Sequence, residues 1–125
     1  MDIEYWEIWN EPDCKNADGS NPCWQGTEAE FTEFFAVVYK HLKSCFPHLK
    51  IGGPAFAYLP ACRDFALKLF ERLNKENLKL DFFSYHCYAS DSEWLSTMIN
   101  YAKDLAVEGG QEQAELILNE WNYIK

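Results

Sequence analysis

Tyr5-Trp6-Glu7-Ile8-Trp9-Asn10-Glu11-Pro12 is a short apolar and aromatic run that stops at a proline. Such residues suit a pleated, half-buried surface, so Tyr5–Asn10 reads as a strand with Glu11 just past its end. Three later stretches repeat the pattern. They are Leu49-Lys50-Ile51-Gly52-Gly53, stopped by Pro54; Leu80–Tyr85, running on into His86-Cys87-Tyr88; and Ala114-Glu115-Leu116-Ile117-Leu118-Asn119.

Helical periodicity fills the gaps between them. Thr27-Glu28-Ala29-Glu30 is a capping box, with a Thr N-cap and a Glu three residues on. Phe31, Phe34, Phe35, Val38, Leu42 and Cys45 then recur at steps of three and four, up to Phe46-Pro47. A second helix begins near Pro60, with Cys62, Ala66, Leu69, Phe70 and Leu73 on one face. A third follows Ser90-Asp91-Ser92-Glu93, another capping box. It carries Trp94, Met98, Tyr101, Ala102 and Leu105, and Gly109-Gly110 supplies its stop.

The order β-α-β-α-β-α-β predicts an α/β fold with four parallel strands joined by right-handed crossovers. The six glycines and five prolines all fall between periodic segments, so residues 1–125 form a single domain. Four strands are half of an eight-stranded barrel, and a whole barrel takes about 250 residues. Either the sheet stays open or something else completes it.

Composition narrows the function. Apolar residues make up 48% and aromatics 17%, enough to bury a core. Twenty acidic residues against 11 basic ones give a net charge of -9. That balance argues against nucleic acid, which needs clustered Lys and Arg, and against an anionic membrane surface. No apolar run reaches the roughly 18 residues of a membrane span. Met1 is followed at once by Asp2 and Glu4, with no basic n-region and no apolar h-region. The expectation is therefore no signal peptide and a cytoplasmic protein. The five cysteines are odd in number and contain no C-x-x-C pair, so no metal site is expected. Cys45, Cys62 and Cys87 sit among apolar residues and read as small buried hydrophobes. Cys14 and Cys23 flank a loop rich in Asn, Gly and Ser. They would pair as a disulfide in an oxidising compartment and stay reduced thiols in the cytoplasm.

Two carboxylates stand out by position. Glu11 follows the first strand in Trp9-Asn10-Glu11-Pro12, and Glu120 follows the last in Leu118-Asn119-Glu120-Trp121. Both lie at the C-terminal end of a parallel strand, where barrels and open α/β sheets place their active sites. The loop of about 15 residues after Pro12 is longer than the usual connection, which is itself a pointer to function. Carboxyl groups about 5–5.5 Å apart suit double displacement at a sugar carbon, one as nucleophile and the other as acid then base. The competing reading is two solvated loop glutamates in an acidic chain.

These stretches resemble a known family. Glu7-Ile8-Trp9-Asn10-Glu11-Pro12-Asp13 resembles the acid/base motif on the fourth strand of retaining glycoside hydrolases with (β/α)8 barrels. Lys50-Ile51-Gly52-Gly53-Pro54-Ala55 resembles the fifth-strand segment of glycoside hydrolase family 39, which includes β-xylosidases and α-L-iduronidases. Asp81–Tyr88 resembles that family's sixth strand, and Leu116–Asn122 its seventh. The resemblance implies a partial TIM barrel, a half-barrel holding strands four to seven. It implies Glu11 as general acid/base, Glu120 as nucleophile, and Asn10 as donor to the sugar 2-hydroxyl. His86 and Tyr88 would lie at the mouth, and Trp121 would stack on a sugar face. The implied partner is a carbohydrate, a xyloside or related glycoside, and the implied chemistry needs no metal and no cofactor.

The same resemblance leaves strands one to three and strand eight unaccounted for. The expectation is an enzyme fragment, weak or inactive alone. The alternative is a non-catalytic, self-associating half-barrel with residual carbohydrate binding. The strands Tyr5–Asn10 and Leu116–Asn119 would be apolar, unpaired edges around an apolar inner face. A homodimer through those edges is expected, or completion by a complementary barrel half.

Overall fold

β1 (Tyr5–Glu7), β2 (Lys50–Phe56), β3 (Phe82–Ala89) and β4 (Glu115–Tyr123) alternate with α1 (Glu28–Cys45), α2 (Leu59–Lys75) and α3 (Ser92–Glu108). The structure, a computed structural model, describes residues 3–123. The strands lie in chain order, β1-β2-β3-β4, and every pair is parallel. This is the expected α/β half-barrel, a partial barrel of four parallel strands.

The core lies between the sheet and its helices. Phe31 and Phe35 of α1, Leu69, Phe70 and Leu73 of α2, and Ala102 and Leu105 of α3 close over Ile51, Phe56, Phe83 and Tyr85. β3 shows the division of faces. Phe83, Tyr85, Cys87 and Ala89 join the packed clusters, so Phe82, Ser84, His86 and Tyr88 point to the opposite, concave side. Among the described residues no helix is long and apolar enough to cross a membrane.

The capping box at α1 forms as expected: Thr27 Oγ1 accepts from Glu30 N, and the Glu30 carboxylate accepts from Thr27 N. At α3 the cap is Asp91, whose carboxylate accepts from Trp94 N at 2.6 Å; the expected box starting at Ser90 does not form. A carboxylate on the N-cap satisfies the same free N–H groups and also complements the helix dipole. Gly110, at φ 68°, closes α3. Gln111 N donates to Ala106 O and Gly110 N to Val107 O, the paired bonds of a Schellman turn.

Several boundaries differ from expectation. β2 does not stop at Pro54; it continues to Phe56 through a cis Gly53-Pro54 peptide, with a register shift against β3. β4 runs to Tyr123, so Glu120 and Trp121 lie within the strand. Cys45 is exposed, and so is Trp94, which lies off the buried stripe of α3.

The concave face is polar, against the expectation of an apolar one. Lys50 Nζ lies 3.3 Å from Glu115 Oε2, Tyr5 Oη donates to Glu115 Oε2 at 2.9 Å, and Asn119 Nδ2 donates to Glu7. These groups satisfy one another across the groove, so little apolar area there needs covering. Cys14 and Cys23 carry free thiols.

Candidate active site

Glu11 reaches the concave mouth through a strained backbone. Past β1 the chain still tracks β2: Ile8 N donates to Gly52 O at 2.8 Å, and Glu11 N to Ala55 O at 3.0 Å. Between these anchors Trp9 and Glu11 both adopt positive φ, 74° and 49°, which non-glycine residues rarely do. The neighbouring glycines are needed here for close approach. A Cβ on Gly52 would lie 2.1 Å from the Phe82 carbonyl oxygen, and one on Gly53 2.8 Å from that of Ile8.

His86 projects from β3 into the same space, its side chain only 1% exposed. His86 Nδ1 lies 2.8 Å from Glu11 Oε1 and 3.8 Å from Glu120 Oε2. Two residues on, the Tyr88 hydroxyl donates to Glu120 Oε1. That bond to a carboxylate holds the phenol proton, raising Tyr88 above the ordinary phenol range. Two residues before His86, Ser84 Oγ accepts from Ala55 N at 2.9 Å and fixes the β2 backbone that holds Glu11.

Glu120 owes its direction to a bulge. Tyr85 pairs with Leu118 but His86 pairs with Glu120, so one extra residue, Asn119, enters β4. The extra residue lets two successive side chains, Asn119 and Glu120, engage groups of the concave face. Single oxygens of Glu11 and Glu120 and a ring nitrogen of His86 all lie within 4.8 Å of one another. Of these two neighbouring carboxylates, Glu11 is half-buried and Glu120 is 47% exposed.

Glu11, His86, Tyr88 and Glu120 thus converge. Asn10 sits exposed between the two strained residues, beside the mouth. Trp121 does not join them. It pairs with Cys87, whose side chain faces the helices, and borders a recess with Leu95 and Tyr123 on that outer side. Trp9 packs edge-on against Trp24 and Phe34, and its indole N–H donates to Cys23 O at 3.0 Å.

Sequence reading passed over Asp13. Its carboxylate accepts from Ala57 N and Tyr58 N, at 2.8 and 3.0 Å, and pins the loop after Glu11 to the entrance of α2. Its place straight after Glu11-Pro12 was the available signal. Ser84 was legible too, because it shares the two-residue period of His86 and Tyr88.

The chain is similar to known glycosidases. A curated β-xylosidase from Geobacillus stearothermophilus is 26% identical over 110 residues, covering 87% of this chain and 20% of the relative. A glucosidase from Croceicoccus marinus superposes with a TM-score of 0.80 at 24% identity, over 96% of this chain and 25% of that one. The GH39 enzyme from Xanthomonas axonopodis pv. citri gives 0.75 at 19% identity, over 97% and 26%. The chain therefore spans about a fifth to a quarter of the length of these relatives. The profile of "Glycosyl hydrolases family 39" matches residues 3–121, a span that begins just before β1 and ends one residue after Glu120. Since that match runs from before β1 through all three helices and into β4, the chain belongs to glycosyl hydrolase family 39.

Proposed function

We propose that the chain carries the catalytic pair of a retaining glycoside hydrolase that cleaves O-glycosidic bonds by double displacement. The observation that supports this reading best is the convergence of Glu11 and Glu120 on His86, with carboxylate oxygens within 4.8 Å of each other. That spacing suits a direct nucleophile; an intervening water needs carboxyl groups about 6.5–9.5 Å apart.

In the first half-reaction Glu120 attacks the anomeric carbon. The bond from that carbon to the leaving oxygen breaks, and Glu11 gives its proton to that oxygen. In the second, the Glu11 carboxylate takes a proton from water. The water oxygen attacks the same carbon and releases Glu120. Two inversions give net retention. Tyr88 holds the attacking oxygens in place, His86 orients Glu11, and Asn10 is assigned to the sugar 2-hydroxyl. Trp121 faces the outer side with Cys87, so sugar stacking is not assigned to it.

The substrate class is a β-xyloside or related glycoside, by analogy with the β-xylosidase relative. Neither a metal nor a cofactor takes part. Glu120 stands 47% exposed, so water competes for the site and only trace turnover is expected from this chain alone. Incubation with a 2-fluoro glycoside followed by peptide mass spectrometry tests the assignment. A glycosyl adduct on Glu120 supports it; an adduct elsewhere, or an inverted product, refutes it.

A second reading is a self-associating half-barrel with residual carbohydrate binding. It is favoured by Trp6, Trp121 and Tyr123, all exposed on the two edge strands. A homodimer through β1 and β4, or a complementary half-barrel, would cover them. Sedimentation at micromolar concentration decides between dimer and monomer. We place the protein in the cytoplasm, consistent with the free thiols of Cys14 and Cys23.

A further inference from the structure

Cys14 and Cys23 are nine positions apart in sequence, a spacing with no zinc signature, yet the fold brings them together beside Glu11. One carboxylate oxygen of Glu11 and the two sulfurs all lie within 4.8 Å of one another. Neither cysteine is fully buried, so the group is open to solvent. We infer that Glu11, Cys14 and Cys23 form a binding site for a thiophilic divalent cation, zinc or cadmium, which takes the Glu11 carboxylate out of catalysis.

The donor set fits such an ion. Zinc sits about 2.3 Å from thiolate sulfur and about 2.0–2.2 Å from carboxylate oxygen, which sets tetrahedral donors roughly 3.6–3.8 Å apart. Side-chain shifts of about an ångström reach that spacing from the observed one. Three protein ligands leave the fourth position for water, the pattern of an open site. Soft thiolates select zinc and cadmium over magnesium and calcium.

The three residues are also held in place by bonds that no cation supplies. Glu11 N donates to Ala55 O, and Cys14 N donates to Glu11 O at 3.1 Å. Asn21 organises the far side of the loop. Its Oδ1 accepts from Cys23 N at 2.8 Å, and its Nδ2 donates to Pro12 O at 2.7 Å. The Trp9 indole fixes the Cys23 carbonyl. On binding, two sulfur–metal bonds and one oxygen–metal bond replace metal–water bonds of the hydrated ion, the two S–H bonds break with their protons passing to solvent, and no electrons move. The cation then occupies the group that must hand a proton to the leaving oxygen. Only this consequence depends on the catalytic role proposed for Glu11; the site itself does not.

The test is a titration of the reduced chain with cadmium ion alone, read by thiolate-to-cadmium absorption in the ultraviolet. The band is expected to saturate at one equivalent. C14A and C23A should each lose most of it, and E11Q should keep it while weakening binding roughly tenfold or more. C45A, which removes the exposed thiol 3.7 Å from His41 Nε2, should leave the titration unchanged. A band that survives both C14A and C23A, or disappears in C45A, overturns the inference. So does binding without any sulfur band, which would put the ion on Glu11, His86 and Glu120. Far-ultraviolet circular dichroism checks each fold; if C14A unfolds, C23A alone decides. The readout is binding, so an inactive glycosidase pair would leave the site standing.

Discussion

Asn119 on the last strand donates to both carboxylate oxygens of Glu7 on the first, each at 3.0 Å. β1 and β4 are the two edges of the sheet, so this contact measures how far the half-barrel curls. Tyr5 and Glu115 make a second crossing below it, at 2.9 Å. The residue after Asn119 is Glu120, so the same bulge that closes the groove also aims the assigned nucleophile.

Replacing Asn119 by Ala should therefore relax the curl and displace Glu120. Labelling of Glu120 by a 2-fluoro glycoside is expected to slow markedly. Stability in urea should change by about 1 kcal/mol or less, because the lost bonds are exposed. Unchanged labelling would separate the curl from the chemistry.

Glu11→Gln removes the proposed proton donor but keeps the side-chain shape. General acid–base assistance contributes about 10²–10⁴-fold, so hydrolysis of a glycoside with a poor leaving group should fall by about that factor. A substrate whose leaving group departs unaided should suffer far less in the first half-reaction. Comparing burst and steady-state rates across aryl glycosides checks this. Equal losses for all leaving groups would remove Glu11 from the donor role.

Tyr88 supplies a pH signature. Its hydroxyl donates to Glu120, and the raised phenol favours the protonated form of the folded state. A raised folded value stabilises fully below the ordinary phenol pKa of about 10 and is lost as pH rises through the folded one. Ultraviolet titration should show one tyrosine ionising late among the exposed ones. E120Q should bring it back toward the ordinary range. If late ionisation survives E120Q, the carboxylate is not its cause.

Phe83 anchors the packing behind the site. It is fully buried on β3 and meets Phe56 and Phe70 edge-on, at ring separations of 6.1 and 5.1 Å. Phe83→Ala should cost about 3–5 kcal/mol, measured by urea denaturation. Much of a small domain's stability would be lost, so marginal folding at room temperature is the expected result.

The order of elements was legible in the sequence because period is a local property. Phe31, Phe34, Phe35 and Val38 repeat at helical steps, and Phe82 to Tyr88 alternate as a strand does. Glu11 and Glu120 were legible as carboxylates near strand ends, although β1 already stops at Glu7 and β4 runs on past Glu120 to Tyr123, and the four family motifs ordered them. Tertiary structure decided what depends on two strands at once. The bulge that aims Glu120 is a mismatch between β3 and β4, and neither strand carries it alone. β2 passes through Pro54 because its neighbours hold it in the sheet, whereas local propensity would end it there. Trp121 reads in sequence as a neighbour of Glu120, yet alternation sends it to the other face. Cys14 and Cys23 meet beside Glu11 only because Asn21 and Trp9 fold the intervening loop back. Local chemistry sets each residue's preference, and register between strands and the path of a loop set which residues meet.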